Sequence, residues 1–224
     1  MPVGTYFSTM TIKQFSFNPF QENTYLLIDD PTKTCWIIDP GMSNRWEWSA
    51  MKDYLVQNGL TPKRVLLTHC HVDHLMGTGF LKEEYGLLPE GPVEDYVGLP
   101  TPVQQGQLFG VGYEKEVVPV AHNIKEGDTL SLGASELQIL DIPGHSHHGL
   151  CFYFPTEKVV FSGDVLFCGS IGRSDFGPQM GCDGELLIQG IQTKLLALPP
   201  DTVVYPGHGP STTIEQELMC NPYF

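Results

Sequence analysis

The chain has 224 residues, with 12 Lys+Arg against 26 Asp+Glu for a formal charge of −14. This length suits one domain, or two closely packed halves, whose core needs no disulfide staples, and 41% hydrophobic with 17% charged residues excludes a disordered chain. No apolar run reaches the ~18 residues that span a membrane, and the acidic balance works against broad nucleic-acid binding, which needs a basic face.

Residues 1–9 read as a loose leader ahead of a domain over 10–224. MPVGTYFSTM has neither a basic start nor a long apolar stretch, so no signal peptide is expected. The six cysteines include no CxxC pair and are expected to be free thiols in a reducing cytoplasm. TIKQFSFNPF alternates apolar and polar residues as a half-buried strand does. TYLLID and TCWIID, separated by the turn signal DPTK, read as a hairpin. Apolar positions Trp46, Met51, Leu55 and Val56 predict an amphipathic helix over 43–58, stopped by Gly59. RVLLT is a short apolar strand, and a helix is expected from about His74 to Tyr85.

The stretch from Leu88 to Gly127 is rich in Pro and Gly and yields one element, a short helix in PTPVQQGQLFG with Pro102 near its first turn. DTLSLG, ELQILDIP, LCFYFP and KVVFSGD then read as strands. DGELLIQGIQTKLLAL predicts a helix over 183–198 with Asp183 as N-cap. VVYP is a last strand, and a final helix is expected to start near Ser211 or Thr212. Strand runs precede helices twice, which implies two sheets packed on each other with helices outside, in one domain.

The sharpest feature is THCHVDH, which places His69, His71, Asp73 and His74 between a strand and a helix. Three of the eight histidines lie within it, a density that packing does not explain. Imidazole and carboxylate donors suit zinc or iron, and no all-thiolate set is present. His145 in IPGHSHHG, Asp164 in VVFSGD and His208 in VVYPGHG share one context, the end of an apolar strand beside glycine. Asp39 in WIIDPG has it too, and a carboxylate there would hold a ligand imidazole by its second nitrogen. Cys70 is not expected to ligate, because neighbouring side chains alternate in direction. His122 reads as an ordinary loop residue. Asn23 and Tyr25 read as hairpin packing and turn hydrogen bonding.

HxHxDH followed by single His, Asp and His at strand ends resembles the metallo-β-lactamase superfamily, from about Met10 to the end of the chain. The resemblance implies an α/β fold, a four-layer αβ/βα sandwich of two mixed β-sheets packed face to face with helices outside. It implies one metal held by His69, His71 and His145, a second by Asp73, His74 and His208, and Asp164 bridging the two. Asp39 matches the aspartate that supports the ligands. The cofactors would be two divalent ions, zinc foremost, with iron or manganese as alternatives.

FNPFQENTYLL, GDVLFCGSIGRSD, VVYPGHGPSTTIEQE and the NPYF ending are most similar to small glyoxalase II-type hydrolases, the hydroxyacylglutathione hydrolases. This implies hydrolysis of a small acyl thioester by a metal-bridging hydroxide, with Asp73 also accepting the water proton. A thiol of pKa near 8.5 leaves without a strong general acid. Arg173, in the Gly-rich loop after Asp164, is a candidate anchor for a substrate carboxylate, with tying down the loop as its alternative role. Glyoxalase II proper carries a helical C-terminal part that helps bind glutathione, whereas this sequence ends at Phe224, so the thiol stays open. His147 and His148 are either a polar loop or extra donors behind the metal. The rival activities are an oxygenase resembling the mononuclear iron persulfide dioxygenases, and a lactonase. The second-metal ligand His208 favours the two-metal hydrolase. No nucleic acid or membrane partner is expected, and oligomeric state is not legible.

Overall fold

The computed structural model describes residues 10–224; the expected leader over 1–9 lies outside the described residues. β1 (Met10–Phe17), β2 (Glu22–Asp29) and β3 (Thr34–Ile38) form an antiparallel meander. α1 (Arg45–Gln57) crosses over to β4 (Thr61–Leu66), which runs parallel to β3. α2 (Thr78–Tyr85), β5 (Pro89–Gly91), α3 (Val93–Gly98), α4 (Pro102–Phe109) and β6 (His122–Asn123) complete a six-stranded sheet in chain order. The second half contains β7 (Thr129–Leu132), β8 (Ser135–Asp141), β9 (Leu150–Phe154) and β10 (Val159–Gly163). The small hairpin of β11 (Leu166–Phe167) and β12 (Ser170–Ile171) follows, then α5 (Gly184–Gly190), β13 (Val203–Pro206), β14 (Thr212–Thr213) and α6 (Ile214–Cys220). The second sheet has the order β14-β13-β10-β9-β8-β7. Both sheets are mixed, as the resemblance implies.

The apolar run TYLLI in β2 is unbroken because both faces of that strand are covered. Tyr25 and Leu27 point between the sheets, where they join Trp36, Ile38, Phe152 and Phe161. Leu26 and Ile28 point outward and pack with Trp48, Met51, Leu55 and Phe80 of the helices. On the far side, Val160 and Val204 meet Leu187, Ile191 and Leu195. Four layers follow from period-2 alternation in strands buried on both faces.

Several expectations shift. The buried stripe of α1 is Trp48, Met51 and Leu55, while Trp46 and Val56 are 85% and 68% exposed, because they fall on the opposite side of a 3.6-residue turn. Asn44 caps that helix, accepting from the Trp46 and Glu47 N–H groups. The helix expected from His74 starts only at Thr78, after a 3₁₀ turn over Val72–His74. The intervening turn brings Gly77 so close to Pro40 and Met42 that a Cβ would collide, which leaves His74 beneath the site instead of on a helix face. The 183–198 helix is capped by Asp183 as expected but runs as α5 and then a π-helical turn over Ile191–Leu195. The last helix starts at Ile214, capped by Thr213, since Thr212 and Thr213 still pair with β13. α4 begins at Pro102 with a Thr101–Gln104 capping box. α3, β5, β6 and the β11–β12 hairpin carry no legible signal, being too short to show a period; His122 lies exposed in β6. The cysteines are all free thiols. Among the described residues, no helix is long and apolar enough to cross a membrane.

Candidate metal centre

Five strands deliver the site from the same edge of the two sheets. Asp39 follows β3, the THCHVDH loop follows β4, His145 follows β8, Asp164 follows β10 and His208 follows β13. All seven predicted ligands come together. His69 Nε2 lies 3.1 Å from His71 Nδ1, which lies 2.9 Å from His145 Nε2. His208 Nε2 is 3.2 Å and His74 Nε2 3.7 Å from Asp73 Oδ2. Asp164 stands between the two trios, with Oδ2 3.5 Å from both His145 Nε2 and His208 Nε2, and Oδ1 3.4 Å from His74 Nε2. Each trio has its donor atoms close enough together to hold one ion.

The outer nitrogens of His69, His74, His145 and His208 have partners, which turns the inner ones toward the centre, whereas His71 Nε2 is buried without one. Asp39 accepts from the Thr68 N–H at 2.7 Å and its hydroxyl at 2.6 Å, and meets His74 Nδ1 at 3.0 Å. Its carboxylate is thus consumed in holding His74, as the sequence implies, and its left-handed backbone (φ 49°) is one that Asp tolerates. Thr68 also reaches His69 Nδ1 at 3.0 Å, and His145 Nδ1 lies 2.7 Å from the Arg173 carbonyl.

The donor set fits divalent ions. His74 Nε2 and Asp164 Oδ1 are buried and have no hydrogen-bond partner, although unpaired buried polar atoms are costly. Burial and the neighbouring imidazoles hold His69 well below the usual histidine range and pull His71 down to about 3, so both are neutral, as ligation requires. Burial disfavours a charged His208, but the Asp164 and Asp73 carboxylates outweigh it and push its pKa up to about 10. An imidazole ligates only when neutral, so loading the ion-free protein near neutral pH must expel the His208 proton. Calorimetric enthalpies of ion binding are therefore expected to vary with the ionisation enthalpy of the buffer, and affinity to weaken as pH falls.

Three braces carry no motif. Asp95, fully buried in α3, accepts from the Cys70 N–H at 2.7 Å and the His148 N–H at 3.1 Å, tying the THCHVDH loop to the His145 loop. Gln105 in α4 accepts from the Val72 N–H at 2.9 Å and donates to the carbonyls of Cys70 and Pro100 at 3.2 and 2.8 Å. Glu22 lies buried with Oε1 4.0 Å from His74 Nδ1, its carboxyl pushed well up by burial. Glu22 sits among the polar residues Gln21, Asn23 and Thr24 and so does not stand out, and Asp95 and Gln105, lone residues in the Pro/Gly-rich stretch, had no signal either. Asn23 and Tyr25 do more than turn the hairpin. Asn23 Nδ2 donates to the carbonyls of Pro206 and Gly209 at 3.0 and 2.8 Å, and the Tyr25 hydroxyl to Pro206 at 2.7 Å. They thereby hold the loop that carries His208. Gly207 in that loop is obligatory, since a Cβ would collide with Asp164 and His74.

The remaining candidates lie outside the ligand cluster. His148 Nδ1 meets Asp141 at 2.7 Å and its Nε2 meets Glu94 at 3.3 Å, while His147 packs on Gly98. Cys70 is buried with its thiol toward the Pro92 carbonyl. Arg173 lines the mouth of the cavity, but its guanidinium donates to Asp175 through Nε at 2.9 Å and Nη2 at 2.8 Å. The cavity above the ligands holds about 290 Å³.

Residues 17–208 match the family model described as the Metallo-beta-lactamase superfamily. The chain is 38% identical over 218 residues to the hydroxyacylglutathione hydrolase GloC of Haemophilus influenzae, covering 96% of this chain and 98% of that protein. Among solved structures, it is similar to the BLEG-1 B3 metallo-beta-lactamase, at a TM-score of 0.84 and 34% identity, covering 95% and 99% of the two chains. It is also similar to TTHA1623, solved in a di-iron-bound form, at 0.78 and 33%, covering 95% and 100%. Two trios of donors around one shared aspartate, on this fold and with these relatives, make the chain a member of the metallo-beta-lactamase superfamily and a metal-dependent hydrolase within it.

Proposed function

We infer that the chain hydrolyses small acyl thioesters in the manner of hydroxyacylglutathione hydrolases. The observation that carries this reading is the pair of donor trios on either side of Asp164. His69, His71 and His145 would hold one divalent ion, and Asp73, His74 and His208 the second. Zinc, iron and manganese all suit this nitrogen and oxygen donor set. Bound there, the ions would supply hydroxide at neutral pH and polarise a carbonyl.

The chain's own residues do the rest. Asp73 borders the cavity, and its carboxylate takes the proton of the attacking water. Asp39 and Thr68 keep His74 and His69 from turning away. Water adds to the carbonyl carbon, the C–S bond breaks, and the thiol departs as thiolate without an acid to protonate it. An amide would need such an acid, and the cavity lining supplies no obvious one beyond the ligands. Arg173 borders the mouth with its guanidinium paired to Asp175 and set over the Phe176 ring, and it shapes the wall the substrate meets.

The test is turnover of S-(2-hydroxyacyl) thioesters by purified protein of known metal content. Chelation is expected to abolish activity, and zinc or manganese to restore it. Undiminished turnover by verified metal-free protein would overturn the reading. The persulfide dioxygenase alternative requires one iron, and the close approach of His208 to Asp73 and Asp164 favours two ions.

A further inference from the structure

Beyond the ligands, the cavity is walled by four phenylalanines and Arg173. Phe20 comes from the turn between β1 and β2, Phe109 from the last position of α4, and Phe176 from the loop after β12. Their rings form one continuous surface. Phe20 and Phe109 meet edge to face at 6.3 Å and 85°, and Phe109 and Phe176 at 5.6 Å and 72°. Phe176 reaches the metal centre, 6.5 Å from the His71 ring, and Phe167 stands on the other side, 6.2 Å from His208. Arg173 lies over Phe176 at 4.2 Å, and Asp175 neutralises it.

Phe109 and Phe176 rest on the buried cluster of Leu67, Leu75 and Met180, yet all four rings keep exposed surface. Phe20 is 38% exposed, and Phe109, Phe167 and Phe176 are half-buried. Three segments distant in sequence each contribute an aromatic ring to the same rim above the reacting centre. Arg173, the cation lining this wall, is paired with Asp175. An apolar ring would find edges and faces in the geometry aromatic pairs prefer, in a cavity of the kind that binds small ligands.

We propose that the Phe20–Phe109–Phe176 wall binds an aromatic or branched aliphatic arm of the substrate, so that apolar thioesters are preferred over those of charged peptide thiols. This rests on the hydrolase reading above. Arg173 is then a positioning residue, its guanidinium stacked on the Phe176 ring.

Two substrate series test it. One varies the thiol at constant acyl group, comparing benzyl thiol with glutathione. The other varies the acyl group at constant thiol, comparing phenylacetyl with acetyl. In at least one series, kcat/KM is expected to be at least ~tenfold higher for the aromatic arm. Phe20→Ala and Phe109→Leu should shrink that ratio severalfold; Phe20 is exposed enough that its truncation leaves the fold intact. In parallel, calorimetry with S-benzyl-2-mercaptoethanol, a thioether that cannot be hydrolysed, is expected to show binding that weakens in Phe20→Ala. Preference for the glutathione and acetyl substrates, with no thioether binding, would overturn the proposal while leaving the hydrolase reading standing. Thioether binding that Phe20→Ala weakens, in a protein that hydrolyses no thioester, would support the wall and overturn the hydrolase reading instead.

Discussion

Replacing His208 by alanine is expected to lower metal content from about two ions per chain toward about one and to cut thioester hydrolysis at least ~100-fold. The first trio, His69, His71 and His145, keeps all its donors in this variant, whereas the second loses the imidazole that lies 3.2 Å from Asp73. A second ion would help position the attacking oxygen and polarise the carbonyl oxygen, and a hundredfold loss corresponds to about 2.7 kcal/mol of transition-state stabilisation. Metal analysis and turnover on one preparation decide the matter. An oxygenase built on the first trio would instead start near one ion, stay there, and retain oxygen uptake with a persulfide. That result would overturn the hydrolase assignment.

The second large effect is structural. Asp95→Ala removes the acceptor of two buried N–H groups at once, those of Cys70 and His148. Each orphaned donor costs about 1–3 kcal/mol, so the loss is roughly 2–6 kcal/mol, and the melting temperature should fall by roughly 4–24 °C. Asp95→Asn keeps one acceptor oxygen and should lose about half as much. Burial pushes the Asp95 carboxyl above its ordinary range, although the two N–H groups hold it down, and a neutral side chain sheds that penalty. Thermal unfolding with and without chelator separates the effect on the fold from the effect on ion affinity. A shift no larger than that of an exposed control substitution would show that Asp95 is not a brace.

The metal centre was legible because its chemistry is concentrated. Three histidines and an aspartate share one short loop, and the other donors repeat a single context at strand ends. The buried strands were legible for a related reason: burial on both faces leaves unbroken apolar runs such as TYLLI and VVF. The supporting layer was not legible. Asp95 and Gln105 act through hydrogen bonds to loop backbone, and nothing in the spacing of a lone carboxylate or amide announces a partner 25 or 33 residues away. The phase of α1 went astray for want of tertiary context, since Trp46 and Trp48 are equally apolar and only packing on Met51 and Phe80 selects one. Helix starts near the site shifted because loop backbone there is shaped by the ligands it must present.

The Tyr25 hydroxyl bonds a carbonyl 181 residues further along the chain, and this pin closes the loop that presents His208. The second donor trio is therefore closed by a segment far along the chain from its first two members. At about 5–20 residues per second, roughly seven to twenty-seven seconds separate the synthesis of the THCHVDH loop from that of His208. During that interval strand β2 has no C-terminal partner to pin, and Asp73 and His74 lack their third donor. A chain arrested or clipped before its last strands would lack the third donor of the second trio, whatever it holds at the first.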